Sequence, residues 1–181
     1  MIKMEIRYRF APASAEETIV FGSERPGYDS RDVPDRAVRE WVQFMKDQGI
    51  QRICCLLHPD QLEFYSSDLL AEYKEIFGSS NVCHAPIPDY HLIDPAVLSE
   101  VVLPFLKESA ERDQPVLVHC SGGSGRTGHV LAAWLARERG MDLQGALNST
   151  YEQFRNPREA VFAGNAVEED LYKLLEPDRD A

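Results

Sequence analysis

Pro115-Val-Leu-Val-His119-Cys120-Ser121-Gly122-Gly123-Ser124-Gly125-Arg126-Thr127-Gly128 is the stretch on which the reading of this chain turns. It begins as a short apolar run of the buried-strand type. It ends in a stretch from about Arg126 to Arg139 with helical spacing. Between the two lie four glycines in seven positions, 122 to 128, which allow backbone conformations that side chains forbid. Such a turn can aim several N–H groups at one point, and the helix that follows adds the positive end of its dipole. Strand, loop and helix together make an anion cradle built from backbone. Its expected members are Ser121, Gly122, Gly123, Ser124, Gly125 and Arg126.

Cys120 stands at the entrance of this loop. The thiolate is the reactive form of cysteine, and amides, a helix end and Arg126 all favour the charged form. Arg126 carries a planar fork that holds two phosphate oxygens at once, a geometry Lys does not match. Thr127 adds a hydroxyl within reach of the sulfur. A cysteine after an apolar strand is ordinarily a core thiol, but the polar, glycine-rich residues that follow make burial unattractive. Gly123, Gly125 and Gly128 also fit the dinucleotide fingerprint, with Asp142 19 residues beyond Gly123. That acid should end a second strand, whereas 143–154 reads as helix, and only 53 residues follow Gly128. The other phosphate-loop motif, with its obligatory Lys, fails because Arg126 stands where Lys is needed and Cys120 where the first Gly is needed.

Outward from the loop, strand and helix patterns alternate. Strands are expected at 4–10, 18–22, 51–57, 81–87 and 115–119. Helices are expected at 34–48, where Val38, Trp41, Val42 and Met45 recur at helical spacing, and at 67–77. Asp94-Pro95, a cap followed by Pro at the first helical position, opens a third helix to about Glu111. Helices at 143–154 and 165–175 follow the loop helix. This order predicts an α/β fold: a central, mostly parallel sheet of about five strands flanked by helices. One domain over 1–181, with its core at about 15–175, is expected.

The chain has 181 residues, 44% of them hydrophobic and 27% charged, with a formal net charge of −11. The acid load falls mainly on the middle: residues 1–40 carry −1, residues 41–115 carry −7 and residues 116–181 carry −3. Such a charge disfavours grip on nucleic acid or an anionic membrane. It does not oppose a small anion held by a local positive well, since 118–128 contains one Arg and no acid. Cys54, Cys55, Cys83 and Cys120 form no disulfide framework, and without a CxxC pair or ligand spacing among His58, His84, His91 and His129 no metal is expected. The first ten residues alternate apolar and charged, unlike a secretory leader, and no window is apolar enough for a membrane span. A soluble, cytoplasmic protein is expected.

His119-Cys120, five residues, then Arg126-Thr127-Gly128 resembles the signature of the cysteine-based protein tyrosine phosphatases. The length points to their compact dual-specificity branch, and the layout is similar to the group of the cyclin-dependent-kinase-associated phosphatase. The resemblance covers about 15–175 and is strongest from Cys83 to Arg139. It implies a phosphomonoester hydrolase, acting on a phosphorylated protein or peptide through a cysteinyl-phosphate, without cofactor and as a monomer. It implies a catalytic Asp about 30 residues before the Cys. Asp89, in Ala85-Pro-Ile-Pro-Asp89, lies 31 residues before Cys120, and its prolines favour an extended loop; Asp94 is better used as a helix cap. On this resemblance Cys120 attacks, Arg126 and the loop amides hold phosphate, Asp89 gives the leaving oxygen its proton, Thr127 steadies the leaving thiolate, and His119 orients the loop and favours the thiolate through hydrogen bonds. Several relatives protect this Cys by a disulfide, for which Cys54, Cys55 and Cys83 are the candidates here, although a core thiol is the simpler reading of each. Arg25 and Tyr90 are read as a surface turn Arg and a partly buried Tyr rather than cleft residues, and Arg155 and Arg158 as candidates for the cleft edge. A rhodanese-like sulfurtransferase would also use a Cys in an anion cradle, but needs no upstream acid. Among phosphatases, a non-protein phosphomonoester stays open, while the absence of Lys from the loop argues against polyphosphorylated inositol lipids.

Overall fold

In the computed structural model, which describes residues 6–178, strands β1 (Ala11–Pro12), β2 (Val20–Ser23), β3 (Arg52–Cys55), β4 (Val82–His84) and β5 (Val116–His119) form one sheet in the order β1-β2-β5-β3-β4. β1 runs antiparallel to β2, and the other pairs are parallel. The mostly parallel five-stranded sheet expected from the sequence is therefore present. Register brings the last residues of four strands level: Ser23 faces His119, His119 faces Cys55, and Cys55 faces His84. Their C-terminal ends form one edge, the place where open α/β sheets hold their ligands.

Helical crossovers join the strands. They are α1 (Asp35–Asp47), α2 (Pro59–Leu62), α3 (Leu69–Phe77), α4 (Pro95–Val97) and α5 (Leu103–Glu111). After β5 come α6 (Gly125–Arg137), α7 (Leu143–Glu152), α8 (Glu159–Phe162) and α9 (Glu168–Leu175). Val38, Trp41, Val42 and Met45 of α1 are all buried, as their spacing requires. Asp68 caps α3 through Ala71 N at 3.0 Å, and Asp94 caps α4 through Ala96 N at 2.8 Å and Val97 N at 3.2 Å. Between α4 and α5 the chain makes a π turn at Leu98–Val102. Pro104, just beyond it, has no N–H to continue an unbroken α ladder.

Alternation in the strands divides the core between the two faces. Cys54, Val116 and Val118 pack with α5, α6, α7 and α9; Ile53, Cys55 and Leu117 pack with α1 and α3. The expected strand at 4–10 is not one. Met4 and Glu5 lie outside the described residues, and Arg7–Arg9 make a 3₁₀ turn with Tyr8 at φ 58° and Arg9 at φ 50°. The apolar alternation there serves side-chain packing instead: Tyr8 and Phe10 both meet Phe44 edge-on, at ring separations of 5.2 and 5.7 Å.

Arg52, at the start of β3, is fully buried. It reaches Ser109 Oγ at 2.6 Å, Phe105 O at 3.0 Å and Glu108 Oε2 at 2.7 Å, and lies 3.8 Å above the Phe105 ring. It ties β3 to α5 on the sheet's far side from the loop edge. Arg52→Met keeps the volume but removes the hydrogen bonds that join β3 to Ser109, Phe105 O and Glu108, and is expected to cost about 2–3 kcal/mol of stability. Urea unfolding with an unchanged slope would show it.

Candidate active site

The four level strand ends each release a loop, and the four loops converge. The loop after β2 brings Arg25 and Tyr28, the loop after β3 brings Gln61, the loop after β4 brings Asp89, and the loop after β5 brings Cys120 to Arg126. A pocket of about 280 Å³ opens over Cys120, with Ser121, Gly122, Ser124, Gly125 and Arg126 on its floor and Arg9, Tyr28, Asp89, Tyr90 and Glu159 around it.

Donors outside the 120–125 turn occupy every one of its carbonyls. Cys120 O accepts from His119 Nδ1 at 2.9 Å, Ser121 O from Arg25 N at 2.8 Å, and Gly122 O from Arg9 Nη1 at 3.4 Å. Gly123 O accepts from Arg155 Nη1 at 2.8 Å, Ser124 O from Gly128 N at 2.8 Å, and Gly125 O from His129 Nδ1 at 3.0 Å. With its acceptors committed in this way, the loop can offer its N–H groups to an anion. Gly123 is obligatory here: φ is +68°, and a Cβ would sit 2.5 Å from Ser23 C and O.

Thr127 Oγ1 donates to Cys120 Sγ at 3.1 Å. Arg126, almost wholly buried, is aimed by Gln61 Oε1 at 2.7 Å and Ile87 O at 3.0 Å, and pairs with Asp89 Oδ1 at 3.1 Å. Gln61 Nε2 also lies 3.5 Å from Asp89 Oδ2. Asp94 is on its helix cap and not among the residues around the pocket, so of the two carboxyls it is Asp89 that lies with the thiol and Arg126.

His119 is fully buried, and burial holds its imidazole down to about 4. The carbonyl of Cys120 fixes the proton on Nδ1, so Nε2 accepts from Tyr73 OH at 3.0 Å. Both ring nitrogens are thereby spent on orienting the loop, and neither bonds the sulfur. His129, which the sequence left without a role, is likewise buried and held down to about 4 by burial. It links Gly125 O to Ile93 N at 3.1 Å, tying the phosphate loop to the end of the Asp89 loop.

Arg25 is buried rather than a surface residue. It bonds Ser121 Oγ at 3.1 Å and the carbonyls of Gly27, Tyr28 and Ser30, so it holds the Tyr28 wall against the loop. Tyr90 is exposed, not partly buried, and edges the pocket at φ 61°. Arg155 lies beneath the loop, and burial lowers its guanidinium to about 10. Arg158 is turned to Glu168 at 2.8 Å. The four thiols are free and buried; Cys120 is 2% exposed although its polar neighbours argue against burial, and Cys54 and Cys83 face each other in register across β3 and β4. Gln61, Tyr28, Arg9 and Glu159 escaped sequence reading because nothing local marks them: strand ends deliver Gln61 and Tyr28, while Arg9 comes from the turn before β1 and Glu159 from the start of α8.

A thiol within a tethered, glycine-rich turn, with a buried Arg and a facing carboxyl, defines the class of the cysteine-based phosphatases. The family model described as "Tc-R-P: Polymorphic toxin system, DSP-PTPase phosphatase" matches residues 30–156, and the chain belongs to that family. It is 36% identical over 55 residues to the dual specificity protein phosphatase OPG106 of Vaccinia virus, a match covering 30% of this chain and 32% of the viral protein. The chain thus spans about a third of the length of the curated relatives it matches. Among solved structures, Tk-PTP in the active form superposes with TM-score 0.62 at 27% identity, over 88% of this chain and 92% of that one. Kinase associated phosphatase shares the fold, with TM-score 0.63 at 23% identity, over 87% and 83%.

Both buried histidines take up protons more readily in the unfolded chain, near 6.5, than in the fold, near 4. Their contribution is therefore complete above pH 6.5 and lost as the pH falls toward 4. Stability should drop by about 1.4 kcal/mol per pH unit for each histidine in that window. Urea midpoints at pH 7, 6 and 5 measure this, and His129→Gln should halve the slope.

Proposed function

We propose that the chain is a cysteine-dependent protein-tyrosine/dual-specificity phosphatase, working through a cysteinyl-phosphate on a phosphorylated protein or peptide. The observation that carries this reading is the meeting of the Thr127–Cys120 contact with the Arg126–Asp89 pair in one pocket. Arg126 and the amides of Ser121 to Arg126 bind the phosphate dianion. Cys120 Sγ forms a bond to phosphorus as the ester P–O bond breaks, and protonated Asp89 gives its proton to the leaving oxygen. Water then attacks phosphorus and yields its proton to the Asp89 carboxylate. The S–P bond breaks, and the Thr127 hydroxyl stabilises the released thiolate. His119 takes no proton from the substrate; it holds the loop. Arg126 and the oriented amides are the electrostatic part of the catalysis.

A sulfurtransferase is not favoured, since the family model and the viral relatives matched are phosphatases. Among the described residues no helix is long and apolar enough to cross a membrane. A cytoplasmic setting accords with a mechanism that needs Cys120 reduced.

Cys120→Ser should abolish turnover of an aryl phosphate while retaining binding of a phosphate analogue. Asp89→Ala should lower kcat by about 10²–10⁴. Asp94→Ala should leave kcat in place and cost about 1 kcal/mol of stability through its lost cap. If the two aspartate variants exchange these behaviours, the acid has been assigned to the wrong residue.

A further inference from the structure

We propose that Glu159 gives this site its substrate preference, by engaging a cationic side chain, arginine or lysine, next to the phosphorylated residue. The proposal rests on the phosphatase reading above and adds to it the kind of sequence the site accepts. Glu159 lies beside the pocket over Cys120, half-buried against Gly125. A Cβ on Gly125 would fall 2.7 Å from Glu159 Cβ and 2.8 Å from its Cδ, so a glycine at 125 is what lets this side chain lie over the phosphate loop.

The carboxylate of Glu159 has no hydrogen-bond or ion-pair partner among the described residues. The arginines around it are committed elsewhere. Arg126 is held by Gln61, Ile87 O and Asp89. Arg155 is spent on Gly123 O and Arg9 O, and Arg158, its neighbour in sequence, on Glu168. An unbalanced carboxylate beside a site for a dianion repels what the site must bind, and the net charge of −11 acts in the same direction. A cation carried by the substrate beside its phosphate removes that repulsion and gains an ion pair. A substrate without one bears the repulsion in full. Among the described residues around the pocket, Arg9, on the rim with a 3.4 Å contact to Gly122 O, is the cation placed to favour the opposite, acidic flank.

The test uses matched phosphotyrosine peptides with Arg, Ala or Glu next to the phosphorylated residue, a plain aryl phosphate, and Cys120→Ser as the blank. Wild type is expected to prefer the Arg peptide over the Glu peptide in kcat/KM. Glu159→Gln should shrink that ratio about three- to fivefold, and Glu159→Lys should reverse the order. Raising the salt from about 0.05 to 0.5 M should narrow the wild-type ratio, because the pair is partly exposed. An equal or acid-preferring wild type, or a preference that Glu159→Gln leaves intact, overturns the proposal while leaving the phosphatase reading standing. Failure of wild type to cleave any of these phosphates overturns that reading instead.

Discussion

Everything at this site depends on which way six carbonyls are drawn. A turn that is to hold an anion must keep its own oxygens from competing for the space, and in a free glycine-rich loop nothing does so. Here the donors are a side chain or amide from six different places: His119, Arg25, Arg9, Arg155, Gly128 and His129. Three of these, Arg25, Arg155 and His129, are buried almost completely and carry further bonds to other loops. The loop's shape is therefore stored in its surroundings. Burying those groups is costly unless each is satisfied, and the loop carbonyls are part of what satisfies them.

The sheet supplies the second requirement, that separate loops arrive together. Four parallel strands ending level at Ser23, His119, Cys55 and His84 deliver an aromatic wall, a glutamine, a carboxyl and the thiol loop to one edge. β5 lies at the centre between β2 and β3. Its loop can therefore be braced from both sides, by Arg25 on the β2 side and by the Gln61–Arg126 contact on the β3 side.

What the sequence disclosed and what it hid divide along the same line. The strand, loop and α6 are contiguous, so their glycines, Cys120 and Arg126 could be read directly, and Asp89 followed from its distance to Cys120 and its prolines. Helices α1 and α3 were legible from spacing, and α4 from the cap at Asp94. Gln61, Arg25 and Glu159 were not, because each acquires its meaning from a residue 30 or more positions away. Residues 6–10 misled for a different reason: alternation is a pattern of burial, and an aromatic cluster on Phe44 and Phe21 satisfies it without a strand. Short apolar runs at 51–57 and 81–87 placed β3 and β4 correctly but overstated them, since Ala85 and Ile87 hydrogen-bond to the backbone of 55–56 beyond the end of the regular ladder.

The pairing of Asp89 with Arg126 at 3.1 Å looks at first like a site blocking itself. Arg126 is 3% exposed, and Asp89 is the charged one of its partners beside Gln61 and Ile87 O; losing that charge would be costly for a guanidinium so deep. Asp89, about half exposed, can supply one and still leave, because its hydrated carboxylate loses little on release. On the proposed cycle, an arriving phosphate replaces that single charge with two, held in addition by the loop amides, so the exchange favours the substrate. The displaced carboxyl remains next to the position of the leaving oxygen, on a loop anchored by Ile93 N to His129 and by Tyr90 O to Asn165. On that cycle one side chain serves as the counter-charge of the empty site and, after taking a proton from water once the phosphate has displaced it from Arg126, as the acid of the filled one.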